Sequence, residues 1–238
     1  MSVGLLLAGI VVMLGGLVQG LVGFGLALVA VPIVALVDPS LVPVPILVTT
    51  STHSVMSLFR EHEHVDWRGV GWAMLGRLPG TVIGVLLVGM LNQKQFSLLV
   101  GVSVLVCVAL SVISWTPHPT PRALVAAGLA SGSFGTSTSI GGPPVAMLYQ
   151  NSTGAEVRAT LGAYFVMGSV TSMIGLLAAG HVHTHDLAAG AALIPFLVVG
   201  FLLSSPLRKV VDAKGIRYPV LILSAVSALV LMGRSILG

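Results

Sequence analysis

Between Gly128 and Pro144 the chain reads GLASGSFGTSTSIGGPP, dense in Gly, Ser and Thr, closed by two prolines and flanked by apolar residues. Gly costs about 1 kcal/mol and Pro about 3 kcal/mol in a helix interior, so a continuous helix is not expected here. Irregular backbone at membrane depth is tolerated only where it is buried in protein or lines a cavity. The segment is therefore either a surface loop or a broken element around a site.

Its spacing occurs twice. Gly16, Gly20, Gly23 and Pro32 follow G-x3-G-x2-G-x8-P, and so do Gly128, Gly132, Gly135 and Pro144. Further along, Pro79-x4-Gly84 is echoed by Pro195-x4-Gly200. Four positions in fixed register followed by a matched pair point to internal duplication, a common way to build a transporter.

Composition settles the class. Hydrophobic residues are 55% and charged residues 8% of 238, against about 25% charged in a soluble domain. This predicts an all-α polytopic membrane protein whose environment is the lipid bilayer. The net charge of +4 does not point to nucleic acid, because the Lys and Arg residues sit mostly between apolar runs, as topology signals do. Cys107 is the single cysteine, so no intrachain disulfide forms. The first residues, MSVGLLLAGIVVMLGG, lack a basic region and a small-residue cleavage site and are expected to be retained.

Residues 2–37 are too long for one crossing, which needs about 20 residues. They make either two short crossings with a Gly-rich turn or one crossing plus a re-entrant piece. Spans are expected at 41–59, 69–91, 96–115, 157–179, 187–204 and 218–236, with a second broken element at 123–150. Thr49 to Ser54 put six polar side chains in a row inside the 41–59 span. The expected units are a first repeat over 1–115, a linker at 116–122 and a second repeat over 123–238. Anchoring the basic 207–217 loop in the cytoplasm distinguishes two topologies. If each broken element crosses twice, each half has about five membrane segments and the halves are inverted; Arg60, Arg68, Arg122, Arg158, Arg208, Lys209, Lys214 and Arg217 are then all cytoplasmic. If each crosses once, the halves are parallel and Arg60, Arg68 and Arg122 move outside. The positive-inside rule favours the inverted arrangement.

The Gly-rich repeat, HVDWRG at 64–69, LGRLPGTVIG at 75–84 and the GGPP-containing second repeat together resemble the sulfite exporter TauE/SafE family of bacterial membrane permeases. The resemblance covers nearly the whole chain. It implies a multi-pass inner-membrane transporter, not an enzyme, that exports small sulfur-containing anions such as sulfite or organosulfonates without a cofactor. Of the Gly triplet common in such proteins the first repeat keeps only Gly23 and Gly25, with Leu26 where a third Gly would sit.

An oxyanion carried into a low-dielectric midplane needs donors and is helped by an opposing charge. Half-helix N-termini supply N–H groups and partial positive charge, and glycine lets backbone approach a ligand. Expected substrate contacts are Gln19, Gly23, Phe24 and Gly25 in the first repeat, and Ser131, Gly135, Thr136, Ser137 and Thr138 in the second, with Ser133 and Ser139 as further hydroxyls. Arg77 is a strong base deep in a span, a position that marks function by default; pairing with carbonyls is the structural alternative. Thr50 and His53 lie in the polar run, and His53 is a candidate for a coupling proton or a neutral histidine in a polar core. No Asp or Glu lies inside a span. Gly16, Gly20 and Gly128 serve equally as close-packing positions.

Two other function classes fit single features. His62, His64, His181, His183, His185 and Asp186 suggest a divalent metal transporter, although no span carries the buried ligands that a metal path needs. His53 near the hydroxyls of 131–139 mimics an intramembrane serine protease, but no G-x-S-x-G is present.

Overall fold

The computed structural model describes residues 3–22, 25–112, 118–207 and 213–237, and among these every regular element is helical. The order is α1 (Val3–Val22), α2 (Leu26–Val37), α3 (Val44–Glu61), α4 (Trp67–Met90), α5 (Gln93–Val112), α6 (Pro121–Thr138), α7 (Gly142–Ala146), α8 (Gly154–Ala178), α9 (Thr184–Leu207) and α10 (Ala213–Leu237). Six helices, α1, α4, α5, α8, α9 and α10, are long and apolar enough to cross a membrane. The chain is a multi-pass membrane protein.

The helices turn large apolar side chains outward and small ones inward. On α4, Leu75, Leu78, Val82 and Leu86 are exposed while Gly76, Gly80 and Gly84 are buried. On α8, Val170, Ile174 and Leu177 face out. Lipid rewards that distribution, because contact between helices there depends on close packing rather than on burial from water.

The Gly-rich segment of the second half forms a continuous helix over much of its length, contrary to expectation. α6 runs unbroken through Gly128, Gly132 and Gly135, and the chain leaves the helix only at Ser139. The reason is the neighbour. Methyl groups at Gly128 and Gly132 would meet the carbonyls of Ala73 and Arg77, and those at Gly76, Gly80 and Gly84 would meet the carbonyls of Val125, Leu129 and Ser133. The two backbones touch along parallel helices, and that contact offsets the local cost of glycine. α1 and α9 form a second parallel pair, with Gly9 against Phe196 and Gly20 against Ser204.

Two hairpins break inside the molecule. α1 leads into a break before α2, and at its other end Gly4 lies beside Val37, so the first hairpin begins and finishes at the end of the molecule that carries Lys94 and Arg234. α6 leads into a break at 139–141 before α7 and the short turn Met147–Tyr149. That second hairpin returns to the opposite end, where Tyr149 reaches Asp66 and Gly69 at the start of α4. α2 has 12 residues, about 18 Å at 1.5 Å per residue, against a hydrocarbon thickness of about 30 Å. The breaks sit at positive φ, Gly25 at 125° and Ser139 at 62°. The value at Gly25 is open in practice only to glycine; Ser139 adopts a left-handed helix cap.

The hydroxyls in the polar run of α3 are satisfied within their own helix. Thr49, Thr50, Ser51, Thr52 and Ser54 each donate to a carbonyl three or four residues back, which lets hydroxyls sit in an apolar setting.

Candidate functional site

A cavity of about 50 Å³ lies where the two breaks meet. One water needs about 10–15 Å³ on this measure, so the space suits a small ion. Gln19, Gly25 and Leu28 of the first hairpin, Thr50 and Ser54 of α3, Arg77 of α4, Gly135 and residues 139–143 of the second hairpin, and Phe165 and Ser169 of α8 line it.

Arg77 is 3% exposed. Its Nη1 donates to Ser131 Oγ at 3.2 Å and its Nη2 to Ser172 Oγ at 3.4 Å, and the guanidinium lies 5.0 Å over the ring of Tyr164. Nε is buried without a hydrogen-bond partner, and Arg77 makes no ion pair among the described residues. Burying a charge is expensive unless it is paired. Here its partners are two neutral hydroxyls and a ring face, so the positive charge stays uncompensated beside the cavity. The hydroxyls are themselves fixed: Ser131 donates to the Gly141 carbonyl, and Ser172 shares a 2.7 Å bond with Thr136. A methyl group at Gly168 would fall on Cζ and Nε of Arg77. The guanidinium thus occupies the space that a missing side chain on α8 leaves.

Opposite Arg77, Gln19 is oriented by its two partners. Its Oε1 accepts from the Leu26 amide at 2.9 Å, which identifies the other atom as Nε2; this lies 3.0 Å from His53 Nδ1. His53 Nδ1 is then the acceptor, and the neutral ring carries its proton on Nε2. One Gln19 N–H is spent on His53, leaving a second for a ligand. The first turn of α2, with Ala27 and Leu28, also borders the cavity, and the start of a helix carries partial positive charge.

The expected site residues divide by this geometry. Gln19, Gly25, Thr50, Arg77 and Gly135 come together on the cavity wall. His53, Ser131 and Thr136 stand behind it and hold wall residues or their partners. Ser137 and Thr138 donate to the carbonyls of Ser133 and Phe134 within α6 and do not line the cavity. Gly23 and Phe24 lie outside the described residues. Ser54, Phe165, Ser169 and the turn 140–143 are wall residues outside the expected set of contacts. Ser139 does line the cavity, though its hydroxyl donates to the Pro43 carbonyl at 2.9 Å.

At the far end of the second hairpin, Asp66 ties three elements together. It caps α4 by accepting from Gly69 N, accepts from the Tyr149 hydroxyl at 2.8 Å, and donates its own amide N–H to Thr160 Oγ1. Burial, then the hydrogen bond to Asp66, pushes the Tyr149 phenol up, so it stays a donor. This gives the HVDWRG segment a structural role.

A family profile described as sulfite exporter TauE/SafE matches residues 7–231. The chain belongs to the sulfite exporter TauE/SafE family. Within the curated proteins it is similar to the probable sulfite/organosulfonate exporter TauE of Cupriavidus necator, at 27% identity over 204 residues, covering 78% of this chain and 77% of that protein. No solved structure matches it. Membership in the TauE/SafE family agrees with a transporter of sulfur anions. The loop histidines, by contrast, serve α9: Asp186 accepts from the His183 amide at 2.9 Å and contacts both His183 and His185 rings. Among the described residues no group of three or more His, Cys, Asp or Glu is placed to hold a metal ion. A wider groove of about 590 Å³ at the Lys94 and Arg234 end is no better a candidate. Its two cations already donate to the carbonyls of Ile236 and Leu36 at helix ends.

Proposed function

We propose that this TauE/SafE protein exports a small sulfur oxyanion across the bacterial inner membrane, binding it at the midplane between the two broken hairpins. The observation that carries this is Arg77, a buried cation without a carboxylate partner among the described residues, on the wall of a cavity shared by both hairpins. A bound anion supplies the missing counter-charge. Arg77 Nε and Nη atoms, the second Gln19 N–H and close backbone at Gly25 and Gly135 are the proposed contacts, with Thr50 and Ser169 beside them on the wall, their hydroxyls donating to the Leu47 and Val166 carbonyls. Ser131, Ser172, Thr136 and His53 hold those groups in place. Gly23 and Phe24 belong to the same break by sequence.

The proposed organisation is a first transmembrane repeat over 1–115, a linker at 116–122 and a second repeat over 123–238, related by inversion. In support, exchanging α1–α5 for α6–α10 maps the helix pairs onto one another. The α4–α6 contact becomes α9–α1, α3–α9 becomes α8–α4, and α2–α10 becomes α7–α5, while α3–α8 and α5–α10 map to themselves. The end bearing Arg68, Arg122 and Arg158 faces the cytoplasm by the positive-inside rule. Export from that side then delivers the anion past a site open alternately to each face.

The test is sulfite efflux from proteoliposomes holding the purified chain, compared with Arg77→Gln. Efflux that depends on the protein and falls at least about tenfold in the variant is expected. Protein without sulfite flux, or full flux in Arg77→Gln, refutes the proposal.

A further inference from the structure

We infer that the cavity selects anions by charge state, taking singly charged sulfur oxyanions (bisulfite or a sulfonate) and excluding doubly charged ones of the same size. The inference rests on the cavity reading above and adds to it what the site counts.

The count begins with Arg77, which brings one positive charge that its serine partners and the Tyr164 ring do not cancel. No other side chain on the wall is charged: Gln19, Thr50, Ser54, Ser139, Phe165 and Ser169 are neutral. Outside the wall, the titratable groups facing this region are few. α3 contributes His53, whose Nδ1 is held as an acceptor by Gln19, and α8 contributes Tyr164. α1, α2 and α6 present no titratable group to the cavity, and the nearest on the second hairpin is Tyr149 at its outer end, bonded to Asp66.

A monoanion against Arg77 makes a neutral buried pair. A dianion leaves one net negative charge in a low-dielectric interior, where an unpaired charge is costly. Among the described residues no second cation lines the cavity to absorb it; Lys94 and Arg234 stand together at one end of the molecule, on a separate groove. The donors available are likewise few. Beyond Arg77, Gln19 has one N–H to give and the hydroxyls of Thr50 and Ser54 are already directed to helix carbonyls. A trigonal or tetrahedral monoanion is satisfied by that set more readily than an ion of twice the charge.

Methanesulfonate and sulfate make the comparison clean, because both are tetrahedral oxyanions of similar size and differ in charge. Sulfite itself passes from monoanion to dianion near neutral pH. The experiment is calorimetric titration of the purified full chain with methanesulfonate, sulfate and sulfite across a pH series. Methanesulfonate binding at least about tenfold more tightly than sulfate is expected, with an affinity that does not change with pH. Sulfite should weaken by up to about tenfold per pH unit once bisulfite loses its proton. Sulfate binding as tightly as methanesulfonate overturns the charge preference while leaving an anion site standing. A methanesulfonate affinity that follows pH also overturns it, because the titrating partner is then His53 or another protein group. If neither anion binds, the cavity reading falls and the preference with it.

Discussion

Replacing Gly168 by alanine tests the site through a residue that no ligand touches. The new methyl group falls on Cζ and Nε of Arg77. Those atoms are the far end of a flexible side chain, so the guanidinium swings aside and the fold survives. What is lost is its aim: the bonds to Ser131 and Ser172 and the position over Tyr164 cannot all be kept. A hydrogen bond to a charged group contributes about 1.5–3 kcal/mol, and each 1.4 kcal/mol is a factor of ten. Misdirecting Arg77 should therefore weaken sulfite or methanesulfonate binding by about 10- to 150-fold. The assay is calorimetric affinity alongside gel filtration and thermal unfolding. Gly71→Ala is the control, since a methyl group there meets nothing within 4 Å; it should bind normally and gain up to about 1 kcal/mol from the better helix former. Unchanged affinity in a folded Gly168→Ala protein would falsify the placement of Arg77 as the anion's partner.

Gly132→Ala drives a methyl group against the Arg77 carbonyl and the Thr81 amide; because backbone cannot step aside, it should lower thermal stability and assembly, by about 1–3 kcal/mol, before it alters affinity in whatever folds. His53→Leu removes the acceptor that orients Gln19 and should weaken anion binding by about 0.5–1.5 kcal/mol with no new pH dependence; a loss of transport with affinity intact would return His53 to a proton-coupling role. For topology, single cysteines at His64→Cys and Asp212→Cys should react from the cytoplasm and Thr184→Cys from the other face, with buried Cys107 silent. Labelling of position 64 from the same face as 184 would contradict the inverted arrangement.

Much of the framework was legible because it depends on local composition. The apolar runs placed the long helices to within a few residues, and the repeated Gly and Pro spacing located both hairpins. Arg77 stood out for the same reason, as a charge that the bilayer does not tolerate idly. What the sequence hid was partnership. Gly132 looked like a helix breaker and Gly128 only as much a packing position as a break, because their compensation, the backbone of α4, comes from about 55 residues earlier in the chain. Ser137 and Thr138 looked like donors because a hydroxyl's composition does not say that it will turn back to its own helix. Gly168 carried no signal at all: its importance is that Arg77 needs the room. Ser54, Phe165 and Ser169 reach the cavity only through the packing of α3 on α8.

Selenite, the heavier analogue of sulfite, locates the bound anion directly by the anomalous scattering of selenium in crystals of the protein. A selenium peak is expected between the two breaks, with oxygens at hydrogen-bond distance, about 2.7–3.2 Å, from Arg77 and Gln19. A peak confined to the Lys94 and Arg234 groove or to the His183–Asp186 cap, with the central cavity empty, would contradict it.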